Sequence, residues 1–578
     1  MLQARLVIGA VTVFLLFRVS IVLFSCMGDL SSVVDLLFDD AYYYLAVAYN
    51  FANHHFSSFD RITETNGYQP LWFLLLSCFE GLTGFDKREF FSLVLALVGV
   101  VSAAPLLYCL YQRDRFSLAL AAGLLASYAC YPFVWTLGLE TLLFAPLFVA
   151  IVYSVKNRGF VESWGRVSFW FIPVLLVRID ALSLLLGYAA PLFFATARIY
   201  GYGLALKRVV LFMLPSCVVL ALYFLMNFFL FGSPFPVSGV AKMAGAEPFS
   251  NWGIIFYYLL NMQYLLVPLV LLMLGEFLYG KFRDGSFFYY GMLVLLICGV
   301  VQYFYYAIFS GWMPWPWYFY HYAMILVLVI ARAFCIGKGV AAATVVVFVL
   351  VFPIAMQGSQ IATSIYLYIH PQKSGFTFNQ RSMDDLSDSL ASGANVRILM
   401  GDRAGGLGYW APENIQIFQL EGLVSDFEYL RARKRGEGVE WISQKIRPDF
   451  LLVDREYLPL VEDENGVPHF VVVEPIQGRV VFDGLLSFCF PEDAVVSFRA
   501  YTSPYPSLLV PNAVRYLFDM NKNQPCDGRL DEYVQEWISS KQGVRRYSLP
   551  VEYDNYPLNA WLEGLDRSRS SSSEGRNR

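Results

Sequence analysis

The sequence predicts a polytopic α-helical membrane protein, with about eleven transmembrane helices, followed by a C-terminal α/β domain. Three observations support this fold class. The 578-residue chain is 57% hydrophobic and 15% charged, whereas soluble domains are roughly 45–50% apolar and about 25% charged. Long apolar runs recur from Leu6 to Gln357, separated by short polar segments. After about Ile361 the composition becomes that of an ordinary soluble domain.

Each transmembrane helix needs roughly 20 apolar residues, or somewhat fewer when flanking polar groups reach the interface. The first apolar run lacks a small-residue cleavage site, which favours a retained first span over a signal peptide. The shorter run Leu71–Leu82 carries Glu80 and is predicted to be an interfacial or re-entrant helix. The predicted spans are 5–25, 90–111, 116–135, 141–155, 167–179, 181–197, 209–231, 255–279, 286–309, 318–335 and 339–357.

Basic residues in the short loops orient these spans, because Lys and Arg accumulate on the cytoplasmic side. With a cytoplasmic N-terminus, the inner side receives thirteen basic residues: Arg5, Arg113, Arg115, Lys156, Arg158, Arg166, Arg198, Lys207, Arg208, Lys281, Arg283, Arg332 and Lys338. The outer side receives five before the C-terminal domain: Arg61, Lys87, Arg88, Arg178 and Lys242. If residues 71–82 crossed the membrane, this asymmetry would reverse. The C-terminal domain is therefore predicted to be extracytoplasmic.

Composition divides the chain into three parts. Residues 1–360 are predicted to form a transmembrane domain that includes a long outer loop at 26–89. Residues 361–566 are predicted to form the extracytoplasmic α/β domain, and residues 567–578 a disordered tail. In the second part, the predicted strands are Val396–Met400, Gln416–Leu420, Phe450–Asp454 and Phe470–Glu474, and the predicted helices are Asp426–Arg435 and Val439–Ile446. The glycines around residue 405 fit neither a dinucleotide fingerprint nor a P-loop, which favours acceptor binding or a lid role over nucleotide binding.

Charge and cysteine content exclude some functions. The net charge of -4 shows no basic face and gives no support for nucleic-acid binding. The chain has no CxxC motif and no Cys/His cluster, which argues against a zinc site. Cys489 and Cys526 could pair if their domain lies in an oxidising compartment, or could remain free thiols.

The unusual polar residues all fall on the predicted outer face. Asp39 and Asp40 begin an aromatic, amphipathic stretch, and either could cap its helix, although capping requires only one carboxylate. Glu140 lies close to hydrocarbon between two spans, where an ionisable group is a functional candidate, with a helix-start glutamate as the alternative. Arg178 could pair with Asp180 to close a turn. Lys242 follows a Pro/Gly-rich loop and could be an interfacial anchor or the counter-charge of a lipid phosphate.

These motifs, in this order, resemble the GT-C class of membrane glycosyltransferases, and most closely the bacterial arabinofuranosyltransferase-like branch. More distant similarity is to protein O-mannosyltransferases and oligosaccharyltransferase. One departure is Arg-Ile-Asp at 178–180, where members of the class tend to have Arg-Pro-Asp. The matching segments are Asp39–Tyr44, Phe59–Asp60, Thr65–Trp72, Gly138–Thr141, Arg178–Asp180, Phe231–Lys242, Gly401–Tyr409 and Leu420–Val424.

The resemblance implies a polyprenyl-phosphate-linked sugar as donor, a glycan, lipid or protein as acceptor, and a site on the outer face of a bacterial cytoplasmic membrane. Asp40, or alternatively Asp39, would be the general base. The other aspartate and Glu140 would orient the acceptor or hold a divalent cation such as Mg, Mn or Ca. Lys242 and Arg178 would bind the donor phosphate. The implied sugar or acceptor contacts are Tyr43, His54, Tyr68, Gln69 and Trp72, and the aromatic segment Trp312–His321 would be either a further sugar platform or an interfacial belt.

The chemistry of the residues agrees with this expectation. A carboxylate in a partly desolvated cleft has a raised pKa and can act as a general base. Direct displacement inverts the anomeric centre and needs one base, and charge developing on a lipid phosphate needs a cation or a metal. Two other functions are a transporter or flippase of a lipid-linked saccharide and a non-catalytic receptor. We find no internal repeat, and Arg18 alone lies deep in a predicted span, which argues against a transporter.

Overall fold

The computed structural model describes the chain in two units. The first comprises residues 1–58 and 64–369, and the second comprises residues 59–63 and 370–578. The sequence-based boundary at 360 leaves residues 59–63 in the first domain. Cys526, the predicted tail and residues 311–314 lie outside the described residues. Those described are 2–27, 33–135, 137–243, 287–310, 315–336, 395–401, 404–454, 460–462, 468–470, 478–482, 486–490, 495–501 and 513–520.

The first unit is helical in its described residues. Its helices are α1 (Leu2–Cys26), α2 (Asp39–His54), α3 (Pro70–Thr83), α4 (Lys87–Gln112), α5 (Arg115–Cys130), α6 (Pro132–Trp135), α7 (Phe144–Arg158), α8 (Trp164–Val177), α9 (Leu182–Tyr200), α10 (Tyr202–Phe231), α11 (Val237–Met243), α12 (Phe287–Phe309) and α13 (Tyr320–Ile336). Four 3₁₀ turns, at Val34–Leu36, Glu140–Leu143, Ile179–Ala181 and Pro316–Phe319, precede α2, α7, α9 and α13.

Within the described residues, seven helices are long and apolar enough to cross a membrane. They are Ala4–Cys26, Lys87–Gln112, Glu140–Arg158, Ile179–Tyr200, Tyr202–Phe231, Phe288–Phe309 and Trp317–Cys335. Each overlaps a predicted span, so the polytopic helical fold class is confirmed. The predicted spans 116–135 and 167–179 correspond to α5 and α8, which are 16 and 14 residues long. The spans 255–279 and 339–357 lie outside the described residues, and the count of eleven stays a prediction.

Helix α5 lies antiparallel along α13. The Arg115 guanidinium donates to the Phe334 carbonyl at one end (3.4 Å), and the Ser127 hydroxyl donates to the Ala323 carbonyl near the other (2.8 Å). Between these bonds, a Cβ added at Gly123 would overlap the backbone carbonyl of Val327. Small residues let membrane helices approach closely, and van der Waals packing then holds them together.

Local sequence signals explain the helices on the predicted outer side. Helix α2 begins after Phe38 and ends at His55, whose φ of 55° places it in the left-handed region. Pro70 opens α3, where its missing N–H costs nothing, and Gly84 closes it with a φ of 60°. Asp86 and Glu89 form a capping box that starts α4. The run 71–82 is thus a 14-residue helix, shorter than the seven candidate spans.

The second unit contains a five-stranded sheet in the order β2-β1-β3-β9-β8, in which β1 pairs in parallel with β2 and β3. The predicted strands near 396, 416 and 450 and both predicted helices are present; of the strand predicted at 470–474, Phe470 lies in β5 and residues 471–474 lie outside the described residues. The strands are β1 (Val396–Met400), β2 (Ile415–Gln419), β3 (Phe450–Asp454), β4 (Leu460–Glu462), β5 (Pro468–Phe470), β6 (Gly478–Phe482), β7 (Leu486–Phe490), β8 (Val495–Tyr501) and β9 (Ala513–Asp519). The helices are α14 (Ala404–Trp410), α15 (Phe427–Lys434) and α16 (Gly438–Trp441), which continues as a π-helical turn to Ile446.

Residues 59–63 pack within this second unit. The Asp60 carboxylate accepts from the backbone N–H groups of Ile62 and Thr63 at 2.7 and 2.8 Å and fixes the turn. The Arg61 guanidinium donates to the Ile415 carbonyl at 2.8 Å. The Phe59 ring lies so close to Gly408 that a Cβ there would overlap it. Glycine at 408 therefore makes room for Phe59.

We predict that Gly123→Ala destabilises the protein. The added Cβ clashes with the Val327 carbonyl, and overpacking of this kind lowers the free energy of unfolding by about 1–3 kcal/mol. Gly9→Ala is the matched control, because it lies inside α1 with nothing within 4 Å of the added Cβ. Denaturant unfolding in detergent micelles measures both, and equal stability of the two variants would contradict the close approach of α5 and α13.

We predict that Asp426 makes the stability of the second unit pH-dependent. Burial, with help from Glu428 and Asp60, raises the pKa of its carboxyl to about 6. The folded state therefore favours the neutral acid, and this stabilising contribution, complete below the ordinary pKa of about 4, is lost as the pH rises through about 6. Asp426→Asn keeps the N-cap acceptor that receives the Tyr429 N–H but does not titrate. Hydrogen exchange of the α15 amides between pH 4 and 7, corrected for intrinsic rates, should show this loss in the wild type and a weaker one in the variant. The same pH dependence in both proteins would exclude Asp426 as its source.

Candidate functional site

Three charged side chains form a buried cluster in the first unit. Arg178 follows α8, and its guanidinium donates to both carboxylate oxygens of Asp180, with Nε at 2.9 Å and Nη2 at 2.7 Å. Its Nη1 donates to Oε1 of Glu140 at 2.6 Å. The exposed fractions of the Arg178, Glu140 and Asp180 side chains are only 6%, 4% and 12%. The ion pair expected at this turn is present, and it extends to a second carboxylate.

Two tyrosines and a glutamine join this cluster to further elements. The Tyr306 hydroxyl of α12 donates to Oδ2 of Asp180 at 2.5 Å. Tyr44 of α2 is buried near Glu140, and burial together with that carboxylate raises the pKa of Tyr44 well above its ordinary value. The Gln69 backbone N–H donates to the Tyr44 hydroxyl (3.2 Å), and the Gln69 side-chain oxygen accepts from the Ile179 N–H (3.3 Å).

Lys242, on the short helix α11, lies beside the same cluster. Its Nζ is 5.0 Å from the ring centroid of Tyr318, and Cζ of Arg178 is 4.9 Å from that centroid. Burial by itself lowers the pKa of Lys242, but Tyr318 and Asp40 outweigh burial and raise it above its ordinary value. Lys242 therefore carries a positive charge at neutral pH.

The acid pair lies in the first turn of α2, where both aspartates are half-buried. The N-cap residue is Phe38, so neither Asp39 nor Asp40 is the N-cap itself. Their charges still face the positive end of the helix dipole. The Asp40 carboxylate contributes electrostatically to the raised pKa of Lys242, so it lies within electrostatic range of that ammonium.

Aromatic and glycine contacts hold the start of α2. The Phe38 ring packs edge-on against Trp317, with centroids 5.0 Å apart, and Trp317 stacks on Trp315 at 5.1 Å. The described part of the predicted aromatic segment thus lies beside the acid pair. Gly138 has a φ of 81°, and a Cβ there would lie 2.7 Å from a Leu37 methyl. This glycine brings the segment of Glu140 against the start of α2.

The predicted sugar or acceptor contacts fall in different places. Trp72 is 1% exposed, and its indole N–H donates to the Gly138 carbonyl at 3.1 Å. Tyr68 shares a hydrogen bond with Ser57 and stacks on Phe73, while Tyr43 is buried in α2. Gln69 belongs to the network described above.

His54 is the predicted site residue that the structure does not bring to the acid pair. It is the exposed last residue of the 16-residue helix α2, roughly 22 Å along the helix from Asp39.

Two site residues carried no individual sequence signal. Tyr306 is one of many aromatic residues in a predicted span, and Tyr44 is one of a run of tyrosines in a matching segment. Their long-range partners identify them.

A metal site would draw on Asp39 and Glu140. Among the residues that the structure describes, no group of three or more His, Cys, Asp or Glu side chains could hold a metal ion. Glu140 is already engaged by Arg178, so a cation there would compete with an ion pair. A divalent cation stays a prediction.

No protein-family model matches the chain, and no curated protein matches it. The solved structures that align with most of it include two of ArnT from Cupriavidus metallidurans. The structure bound to undecaprenyl phosphate is 11% identical and covers 90% of this chain and 99% of its own, with a TM-score of 0.45. The apo structure is 12% identical and covers 87% of this chain and 99% of its own, with the same TM-score of 0.45.

We predict that Arg178→Met destabilises the protein by about 3–5 kcal/mol, because it leaves two buried carboxylates without a counter-charge. The matched control is Arg208→Met, which breaks an ion pair with Glu162, whose side chain is 51% exposed, and should cost under about 1 kcal/mol. Denaturant unfolding in detergent measures both. Neutralising the cluster with Glu140→Gln and Asp180→Asn should recover much of the loss in the Arg178→Met protein, and equal losses for the two arginine variants would refute a buried cluster.

Proposed function

We propose that this chain is a membrane glycosyltransferase, which transfers a sugar from a polyprenyl-phosphate donor to an acceptor hydroxyl on the outer face of the cytoplasmic membrane. The observation that supports this most is that the Lys242 ammonium lies over the Tyr318 ring and within electrostatic range of the Asp40 carboxylate. A transfer of this kind needs a base for the acceptor and a cation for the phosphate. The order of motifs that resembles GT-C enzymes agrees with the proposal.

Asp40 is the carboxylate that we assign as the general base. Asp40 lies in the first turn of α2 and interacts electrostatically with Lys242, the residue that we assign to the donor phosphate. In the proposed step, the acceptor hydroxyl gives its proton to Asp40 while its oxygen attacks the anomeric carbon. The bond from that carbon to the phosphate oxygen breaks, and the lipid phosphate leaves with the electron pair. Attack opposite the leaving group inverts the anomeric centre.

Lys242 is the cation that we assign to the donor phosphate. The leaving phosphate gains negative charge as the bond breaks, and a fixed ammonium lowers the energy of that state without rearranging. Arg178 is already balanced by two carboxylates. We therefore give it the smaller part in binding the donor phosphate.

An apolar cavity offers a place for the lipid chain. It has a volume of about 60 Å³ and is lined by residues that include members of α7, α8, α9, α12 and α13. Phe144 and Leu184 of its lining follow Glu140 and Asp180 by one helical turn, whereas Val155 lies near the far end of α7. The lining therefore extends from one turn beyond the charged cluster toward the other end of α7. We propose that the first isoprene units of the donor occupy it, with a membrane lipid chain as the resting occupant.

We predict that Asp40→Asn reduces transfer by about 10²–10⁴-fold, the usual contribution of a general base, while Asp39→Asn reduces it by less than about tenfold. The control is Glu64→Gln, an exposed acid of the same unit. The assay supplies purified protein in liposomes with a panel of polyprenyl-phosphate sugars and glycan, lipid and peptide acceptors.

Folded yield should be matched among the three variants before their rates are compared. Full transfer by Asp40→Asn would remove the catalytic assignment. No transfer by the wild type from any donor of the panel would count against the function itself.

A further inference from the structure

The helix that carries Lys242 is too short to hold its own position. Helix α11 has seven residues, and isolated helices shorter than roughly 12 residues are marginal in water because nucleation is costly. Its conformation therefore depends on contacts from other parts of the chain. Val237 and Ala241, one turn apart, are buried at 0% and 2% exposure and supply an apolar contact. They do not by themselves set the direction of the helix start.

Asn66 supplies the directional contact. Its side-chain oxygen accepts a hydrogen bond from the backbone N–H of Val237, the first residue of α11, at 2.8 Å. Its side-chain nitrogen donates to the Phe235 carbonyl at 3.5 Å. The first N–H groups of a helix have no partner within the helix, so Asn66 caps α11 from a position 171 residues earlier in the chain. Asn66 is 1% exposed and is thus committed to this contact.

A neighbouring asparagine contacts the same loop in a different way. Asn227 of α10 is 2% exposed, and its side-chain nitrogen donates to the Pro234 carbonyl at 3.3 Å. It therefore fastens the loop before α11 rather than the first residue of the helix. A comparison of variants at Asn66 and Asn227 therefore distinguishes a general effect on the stability of the loop from an effect on the direction of α11.

We infer that Asn66 is a positioning residue for the donor phosphate, because it holds the start of α11 so that the Lys242 ammonium stays above the Tyr318 ring. The inference rests on the proposed function, which assigns the phosphate to Lys242. It also assigns the segment Thr65–Trp72 a positioning role, where the resemblance implied sugar or acceptor contacts. Asn66 holds the segment of Lys242, Gln69 holds the turn of Arg178, and Trp72 holds the segment of Glu140.

The test is a comparison of Asn66→Ala, Asn66→Asp and Asn227→Ala in the full-length protein in nanodiscs. Leaving the buried Val237 N–H without its acceptor should raise the donor KM of Asn66→Ala roughly tenfold, with kcat changed less than about threefold. Asn66→Asp keeps the oxygen that accepts from Val237 but loses the donor to Phe235, and should recover most of this loss. Asn227→Ala should stay within about threefold of the wild-type KM. An unchanged KM for Asn66→Ala, or an equal rise for Asn227→Ala, would overturn the inference.

A double variant shows whether Asn66 acts through Lys242. If it does, adding Asn66→Ala to Lys242→Met should change the donor KM by less than about twofold, because residues that act as a unit are not additive. If the two substitutions instead multiply their separate effects on the donor KM, Asn66 does not act through Lys242.

Binding of sugar-free polyprenyl phosphate, measured by native mass spectrometry, provides a readout without transfer. A roughly tenfold weaker binding by Asn66→Ala, rescued by Asn66→Asp, would support the positioning role even if no donor sugar is turned over. Unchanged binding would contradict it. A wild type that binds this lipid but transfers no sugar would instead overturn the proposed function alone.

Discussion

A single guanidinium buried between two carboxylates constrains one end of the helix bundle. Burying charges is costly, and the cost is recovered only when each charge is paired and hydrogen-bonded with good geometry. Arg178 meets this condition with three bonds of 2.6–2.9 Å. Because Glu140 precedes α7 and Asp180 precedes α9, the cluster fixes where two candidate spans begin. Tyr306 extends the constraint to α12.

This constraint separates the structural charges from those that are proposed to do chemistry. The cluster has one cation and two anions, all nearly buried, whereas Lys242 lies beside it and interacts electrostatically with Asp40. A lysine on a seven-residue helix gains a defined position from Asn66 and from the Tyr318 ring. An aspartate in the first turn of α2 gains its position from Phe38 and the tryptophans beside it. Both therefore meet the requirement that catalytic groups be held by rigid neighbours.

The local sequence pattern predicted the helices and strands but not the side-chain contacts between residues distant in the chain. The apolar runs predicted seven spans that the structure contains, because twenty apolar residues in a row have few alternatives. Asp40, Glu140, Arg178 and Lys242 were expected on one face because they follow or precede spans of alternating direction. The bond from Arg178 to Glu140 crosses 38 residues, and that from Asn66 crosses 171. Contacts over such distances produce no periodic pattern in the sequence. The grouping of residues 59–63 with the second unit also depends on long-range contacts and was not predicted.

The central claim is that the site recognises the phosphate of a lipid carrier through Lys242. Native mass spectrometry of delipidated protein, titrated with polyprenyl phosphate and with the matching polyprenol, tests it directly. The account predicts that the wild type binds the phosphate at least about tenfold more tightly than the alcohol, a difference of about 1.4 kcal/mol, and that Lys242→Met removes most of this preference. Equal binding of the two lipids by the wild type would contradict the account.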